Sequence, residues 1–410
     1  MRVAAMALAA GLAAPMAWGQ ASIIEITDPS PEPGTIIIGD LNADGSVAAG
    51  FRLLPGAGRA FRWTRDGGVE FIHDAVGGGD SGSSAAGVST DGSVVVGQVG
   101  LDAFRWTRDE TTLLGDLPGG DEFSSASAVS GDGLVVVGQS VHLPQPPDQR
   151  QPFRWTENTG MVGLGFPSGT TFGVALDTNS DGSVVVGDAS GPGVSRAFVW
   201  TTDDGMGELP FFEPTETVRA RAVSANGRFV VGGRSGGTPV GSAYRWSDLG
   251  IVDLGALPGD FRGALAEDVS ADGSVVVGST TIRVGSSLPS TAFVWTEASG
   301  TLSIEGVLVD CFGVPLDGIE LRNAVAISSN GKVIAIEGVD ASGRPAAFIV
   351  TLPIACRVDL DGDGVLTLFD FLLFQNFFDS DDRAADFDCD GELTVFDFLA
   401  FQNAFDAGCP

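Results

Sequence analysis

The sequence predicts a mainly β fold: a seven-bladed β-propeller of four-stranded blades, closed by an N-terminal strand and followed by a small α-helical unit. Three observations predict it. A hairpin phrase recurs seven times, an aromatic phrase follows each copy, and an acidic loop with its helix is duplicated near the C-terminus.

Taken in chain order, the first element is an export leader. Met1 and Arg2 give a short positive start, Val3 to Ala14 an apolar run too short to span a bilayer, and Ala17-Trp18-Gly19 a small-x-small site, so cleavage is expected after Gly19. No later segment reaches the length of a transmembrane helix. The formal charge of −31 comes from 53 acidic against 22 basic residues, with Lys332 the only lysine. Such a chain repels phosphate backbones and anionic lipid, which argues against nucleic acid and membrane surfaces as partners.

The repeated region is assigned to residues 20–353. Val-Ser-x-Asp-Gly-Ser-Val-Val-Val-Gly stands at Val88 to Gly97 and Val269 to Gly278, and with Leu134 for Ser at Val129 to Gly138. Looser copies begin at Leu41, Thr178, Val223 and Ile327. Each is followed by Ala-Phe-Arg-Trp-Thr or a variant, from Ala60 to Thr64 through Ala347 to Thr351. The turn glycines, Gly45 to Gly331, lie 41 to 58 residues apart, a spacing suited to four-stranded blades. Asp-Gly or Asn-Gly between β-branched runs predicts a tight hairpin with positive φ at both central residues. Each repeat then offers a run into Val-Ser, a Val-Val-Val strand, a Phe-x-Trp strand and a short last strand such as Met161 to Leu164. The seventh repeat stops after its third strand, so Ile23 to Ile26 is expected to supply the missing outer strand beside Phe348 and close the ring. An open β-solenoid is the alternative architecture.

These phrases resemble the HAF family of extracellular repeats over roughly residues 35 to 353, with departures at Val350, which replaces Trp, and at the insertion containing Cys311. The resemblance implies location and architecture more than activity.

Chemistry is sparse in the repeats. Asp44, Asp91, Asp132, Asp181 and Asp272 share one position with Asn226 and Asn330; Asn suits a turn as well as Asp does but cannot act as a general acid. The likeness to the sialidase Asp-box fails on spacing. Phe and Trp two apart share one strand face and suit interblade packing, with a carbohydrate platform as the other reading. Arg62, Arg105, Arg154 and Arg245 point the opposite way, toward salt bridges with blade carboxylates. His73 and His142, the only histidines, are read as loop residues rather than parts of a triad or zinc site. Acids outside the repeat pattern, Asp121, Glu122, Asp203, Asp204, Asp260 and Glu267, are the candidates for any catalytic cluster.

The C-terminal unit, residues 354–410, repeats itself at an offset of 27 residues. Residues 359–370 and 386–397 place carboxylates at loop positions 1, 3, 5 and 12, glycine at 6 and Thr at 9, as an EF-hand-like oxygen cage for calcium requires. One ion is expected on Asp359, Asp361, Asp363, the Val365 carbonyl, Thr367 (through a water) and Asp370. The other is expected on Asp386, Asp388, Asp390, the Glu392 carbonyl, Thr394 and Asp397. Helices are expected over Asp370 to Phe378 and Asp397 to Phe405.

This segment resembles the GC-type dockerins of exported bacterial proteins, down to Asp-Ala-Gly-Cys at Asp406 to Cys409. The resemblance implies a Cys356–Cys409 disulfide, and a cohesin-like protein partner met through Leu368, Phe369, Val395 and Phe396; a surface-anchoring role is the alternative. Cys389 and Cys311 are left as a candidate bridge between the two domains. The expected protein is secreted, extracellular or attached to the cell surface. Its propeller presents a carbohydrate or protein ligand face, with a dockerin-borne enzyme acting on polysaccharide as the other class.

Overall fold

The computed structural model describes residues 21–30, 34–120, 122–143, 149–210, 217–235, 241–257, 261–282, 289–352, 358–360, 365–387 and 392–408. Its β-strands form seven four-stranded antiparallel sheets. Six run in sequence order from inner to outer strand, as in blade 1: Thr35–Leu41, Val47–Leu54, Ala57–Thr64 and Gly68–Phe71. The seventh comprises Glu320–Ile327, Val333–Val339, Pro345–Thr351 and, on its outer edge, Ser22–Glu25.

That last pairing closes the ring. Ile23 lies opposite Val350 and Glu25 opposite Phe348, and Ile26 N donates to Ala347 O at 2.8 Å. The expected exchange of a strand between the two ends of the array therefore occurs, and the solenoid does not. A buried ion pair then ties the strand's continuation to blade 1: Asp28 meets Arg52, whose side chain is 3% exposed.

The repeated phrases pack as follows. Phe61, Phe104, Phe153, Phe198, Tyr244, Phe293 and Phe348, one per blade, are fully buried. Six of them lie directly across from a glycine, as Phe104 does from Gly97, so the ring covers backbone that no side chain shields. Trp63, Trp106, Trp155 and Trp295 are buried beside them. Trp200 and Trp246 are half-buried against the same cores, so the aromatic ladder serves blade packing.

The turn residues do what their chemistry suggests, with one correction. Asp44, Asp91, Asp132, Asp181, Asn226, Asp272 and Asn330 each accept the backbone N–H two residues on, at 2.9–3.0 Å. In each turn only the glycine has positive φ. The side-chain bond holds the preceding residue in an Asx turn, so one left-handed residue suffices to reverse the chain.

The arginines also differ from expectation. Arg62, Arg105, Arg154 and Arg245 reach the carbonyl of the turn glycine in the next blade, Gly92, Gly133, Gly182 and Gly273, at 2.8–3.0 Å. Among the described residues only Arg245 of these four adds a carboxylate, Glu297 at 3.4 Å. A carbonyl left over by a tight turn at a blade joint attracts the cation more closely than the exposed acids around it. His73 lies in a loop but is buried, with Nδ1 2.7 Å from Ser83 Oγ; His142 lies in the strand Val135–Leu143 rather than a loop.

Beyond the last sheet, helices run over Leu368–Asp379 and Val395–Ala407. Phe374 and Phe401, equivalent at the 27-residue offset, stack with centroids 4.3 Å apart, and Phe371 meets Phe398 edge-on at 6.0 Å. Each pair brings a residue onto its own duplicate, as a pseudo-two-fold arrangement requires. No helix among the described residues is long and apolar enough to cross a membrane.

Candidate functional sites in the axial channel and the acidic loops

Every inner strand carries a β-bulge at one position, between residues 38 and 40 in blade 1 and at the equivalent place in the other six. A bulge takes one residue out of the ladder and frees backbone groups that need other partners. The residue after the bulge is Gly87, Ala128, Ala222 or Ala326 in four blades. In blades 1, 4 and 6 it is Asp40, Asp177 or Asp268.

These three carboxyls bond alike. One oxygen accepts the N–H of the next residue, Leu41, Thr178 or Val269, at 2.7 Å. The other crosses to the following blade and accepts from Val88, Val223 or Ile327 at 2.7–3.0 Å. Burial is the largest influence on all three and disfavours the charged form. It raises Asp40 to about 7, Asp177 to about 6 and Asp268 well above the carboxylate range. Their charges also act on one another across the axis.

Further acids lie near them. Asp188, raised to about 6 by burial, accepts from Ala220 N at 3.0 Å, and burial also raises Glu337 and Glu267. Glu267 pairs with Arg221 at 3.4 Å. Just past the bulges, the residue between Ser and Asp of each hairpin phrase bonds to its counterpart in the next blade. Ala43 donates to Thr90, Thr90 to Gly131, Gly131 to Ser180, Ser180 to Ala225, Ala271 to Ser329 and Ser329 to Ala43. A hoop of backbone hydrogen bonds thus encircles the axis at six of the seven joints and requires small residues. A Cβ on Gly131 would lie 2.5 Å from both Ser180 Oγ and Thr90 Oγ1.

The channel acids were not picked out by the repeat pattern, except Glu267. The available signal was comparative: aligning the seven phrases shows Asp at three copies where the other four have Gly or Ala. Of the other acids outside the repeat pattern, Glu122 lines a groove of about 520 Å³ with Leu101, Asp102 and Leu113. Asp203 and Asp204 sit in the turn after Val194–Thr201, where Asp204 N bonds Thr201 Oγ at 2.9 Å. The structure does not gather these residues into one cluster. Asp121 and Asp260 lie outside the described residues.

The acidic loops are built from equivalent bonds. Asp370 accepts from Leu360 N at 2.7 Å and Thr367 N at 2.8 Å; Asp397 accepts from Phe387 N and Thr394 N at 2.7 Å. Asp370 and Asp397 are fully buried and Asp386 nearly so. Thr367 and Thr394 cap the helices, each accepting from the N–H two residues on at 3.1 Å, so the helices begin two residues earlier than expected. A capping box fixes position 12 of each loop as the third helical residue.

The described donors, Asp359, Thr367, Asp370, Asp386, Thr394 and Asp397, are all oxygens, four of them carboxylates. That donor set fits a hard divalent cation. Asp361, Asp363, Asp388 and Asp390 lie outside the described residues, and among those described no three His, Cys, Asp or Glu side chains are grouped to hold a metal. Val365 and Glu392 are exposed at the surface of the loops. Cys311 is buried and not free; Cys356, Cys389 and Cys409 lie outside the described residues.

No protein-family model matches the chain, and no curated protein matches its sequence. Among solved structures it is similar to an oligogalacturonate lyase in complex with manganese, at 13% identity over 82% of this chain and 99% of that one, with a TM-score of 0.50. An oligogalacturonate lyase from Vibrio parahaemolyticus gives 12% identity, 82% and 98% coverage and a TM-score of 0.52. A prolyl endopeptidase gives 12%, 78% and 50%, and 0.51. At these identities the likeness is one of fold, the propeller.

Proposed function

We propose that this is an exported, non-catalytic binding or scaffold protein whose propeller presents a ligand face. Its C-terminal unit is a calcium-dependent module of the dockerin type that anchors it to a protein partner or the cell surface. The observation that carries this reading is the equivalence of the two loop–helix units at the 27-residue offset. Matching carboxylates accept matching amides, and matching apolar residues stay exposed: Leu368 and Val395, Phe369 and Phe396, Leu372 and Leu399, all 46–70% exposed. Two copies of an oxygen cage beside two copies of an apolar face are what a metal-ordered docking module needs.

Calcium would be held by the twelve positions named from the sequence. It would neutralise carboxylates that otherwise repel one another and order the short helical core. A disulfide between Cys356 and Cys409 would tie the ends of the module, and one between Cys311 and Cys389 would bridge the two domains.

Calcium titration of the chain beginning at Gln20, followed by calorimetry, tests the reading. Two ions are expected to bind, falling to one in Asp370→Ala or Asp397→Ala, and no heat at millimolar calcium would overturn it. Turnover of polysaccharide, oligogalacturonate included, would replace the non-catalytic reading with that of a dockerin-borne enzyme.

A further inference from the structure

We propose that Asp40, Asp177 and Asp268 form a proton-linked clasp inside the propeller, holding the joints between blades 1 and 2, 4 and 5, and 6 and 7 most firmly when the channel is protonated. Each carboxyl spans its joint with one bond inside its own blade and one to the next. All three stand at the same level of the inner strands, just before the hoop, and their charges act on one another.

The neighbouring charges do not relieve them. From the inner strand Thr217–Val223 come Arg219 and Arg221, the second already engaged by Glu267 on Phe261–Val269. Asp188 on Val184–Gly191 and Glu337 on Val333–Val339 add further negative charge. Six acids thus face two arginines. With one proton retained, a carboxyl still accepts both amides and can donate its own O–H into the channel. Fully ionised, the three keep their amide bonds but repel one another in surroundings that water screens poorly.

The sign follows from proton uptake. In the folded protein burial raises Asp40 to about 7, Asp177 to about 6 and Asp268 well above the ordinary carboxylate value, whereas in the unfolded chain all three release their protons near pH 4. The folded state binds more protons between those values, so the clasp's contribution is complete below about pH 4 and is lost as pH rises through the folded values. This is opposite to acid denaturation.

The test uses tryptophan fluorescence of the chain beginning at Gln20, because Trp63 to Trp295 all lie in the propeller and the C-terminal unit has none. The midpoint of thermal unfolding is expected to fall by on the order of 5 °C between pH 5 and pH 8 in the wild type. Asp40→Asn/Asp177→Asn/Asp268→Asn is expected to flatten that dependence. An unchanged slope in the variant overturns the proposal. If the triple variant does not fold, carboxyl ¹³C titration of the wild type and of Asp177→Asn decides. Aspartates titrating between about pH 6 and 7 support the clasp, with one signal lost in the variant; all aspartates titrating near pH 4 refute it.

Discussion

At the scale of the residue, the glycine that ends each Val-Val-Val-Gly phrase shows how repetition becomes packing. Gly97 lies across from the buried ring of Phe104, and a Cβ there would fall 1.9 Å from Ser84 O, a backbone atom with no room to retreat. Gly97→Ala is expected to cost about 1–3 kcal/mol in urea unfolding followed by tryptophan fluorescence. A change within 0.5 kcal/mol would show that the bulged inner strand yields. The same phrase made six of these glycines visible in sequence, but only the cross-strand register reveals that each leaves space for its neighbour's ring. Arg154 illustrates a different limit. Its place between Phe153 and Trp155 put it on the opposite strand face, yet its partner, the Gly182 carbonyl, lies in another blade. Arg154→Met, which keeps the stem and loses the donor, is expected to cost about 1–2 kcal/mol by the same measurement.

At the scale of the element, the N-terminal strand does more than fill a gap. Its pairing shields the outer edge of blade 7, and Asp28 just beyond it neutralises Arg52 in a nearly water-free setting. Removing one partner of a buried pair takes its counter-charge from the other, so Asp28→Ala is expected to cost about 3 kcal/mol in urea unfolding. Asp28→Ala with Arg52→Met should recover much of that loss. A double variant no more stable than Asp28→Ala would mean that Asp28 acts through its loop. The missing fourth strand of the last repeat announced the closure in sequence. The ion pair was not announced, since neither residue belongs to a repeated phrase.

At the scale of the whole molecule, seven sheets and two helices draw on separate cores, the aromatic ladder in one and the stacked Phe374 and Phe401 in the other. If the C-terminal unit binds calcium as proposed, a chelator is therefore expected to reduce the helical circular dichroism signal while leaving the tryptophan-reported midpoint within about 2 °C. Loss of both together would show that the two cores unfold as one. The channel belongs to this scale alone. Asp40, Asp177 and Asp268 are far apart in sequence and belong to non-adjacent blades, and they face one another only because the ring closes.

The sequence by itself determined the number of blades, the strand order within each and the exchange of a strand between the two ends. All of these follow from local periodicity, turn chemistry and spacing, which the chain carries without reference to distant residues. The tertiary structure decided what the turn arginines bind, where the bulges release amides and which acids share the axis. Those depend on which blade stands next to which and on how much water the closed ring admits, and neither is a property of any one repeat.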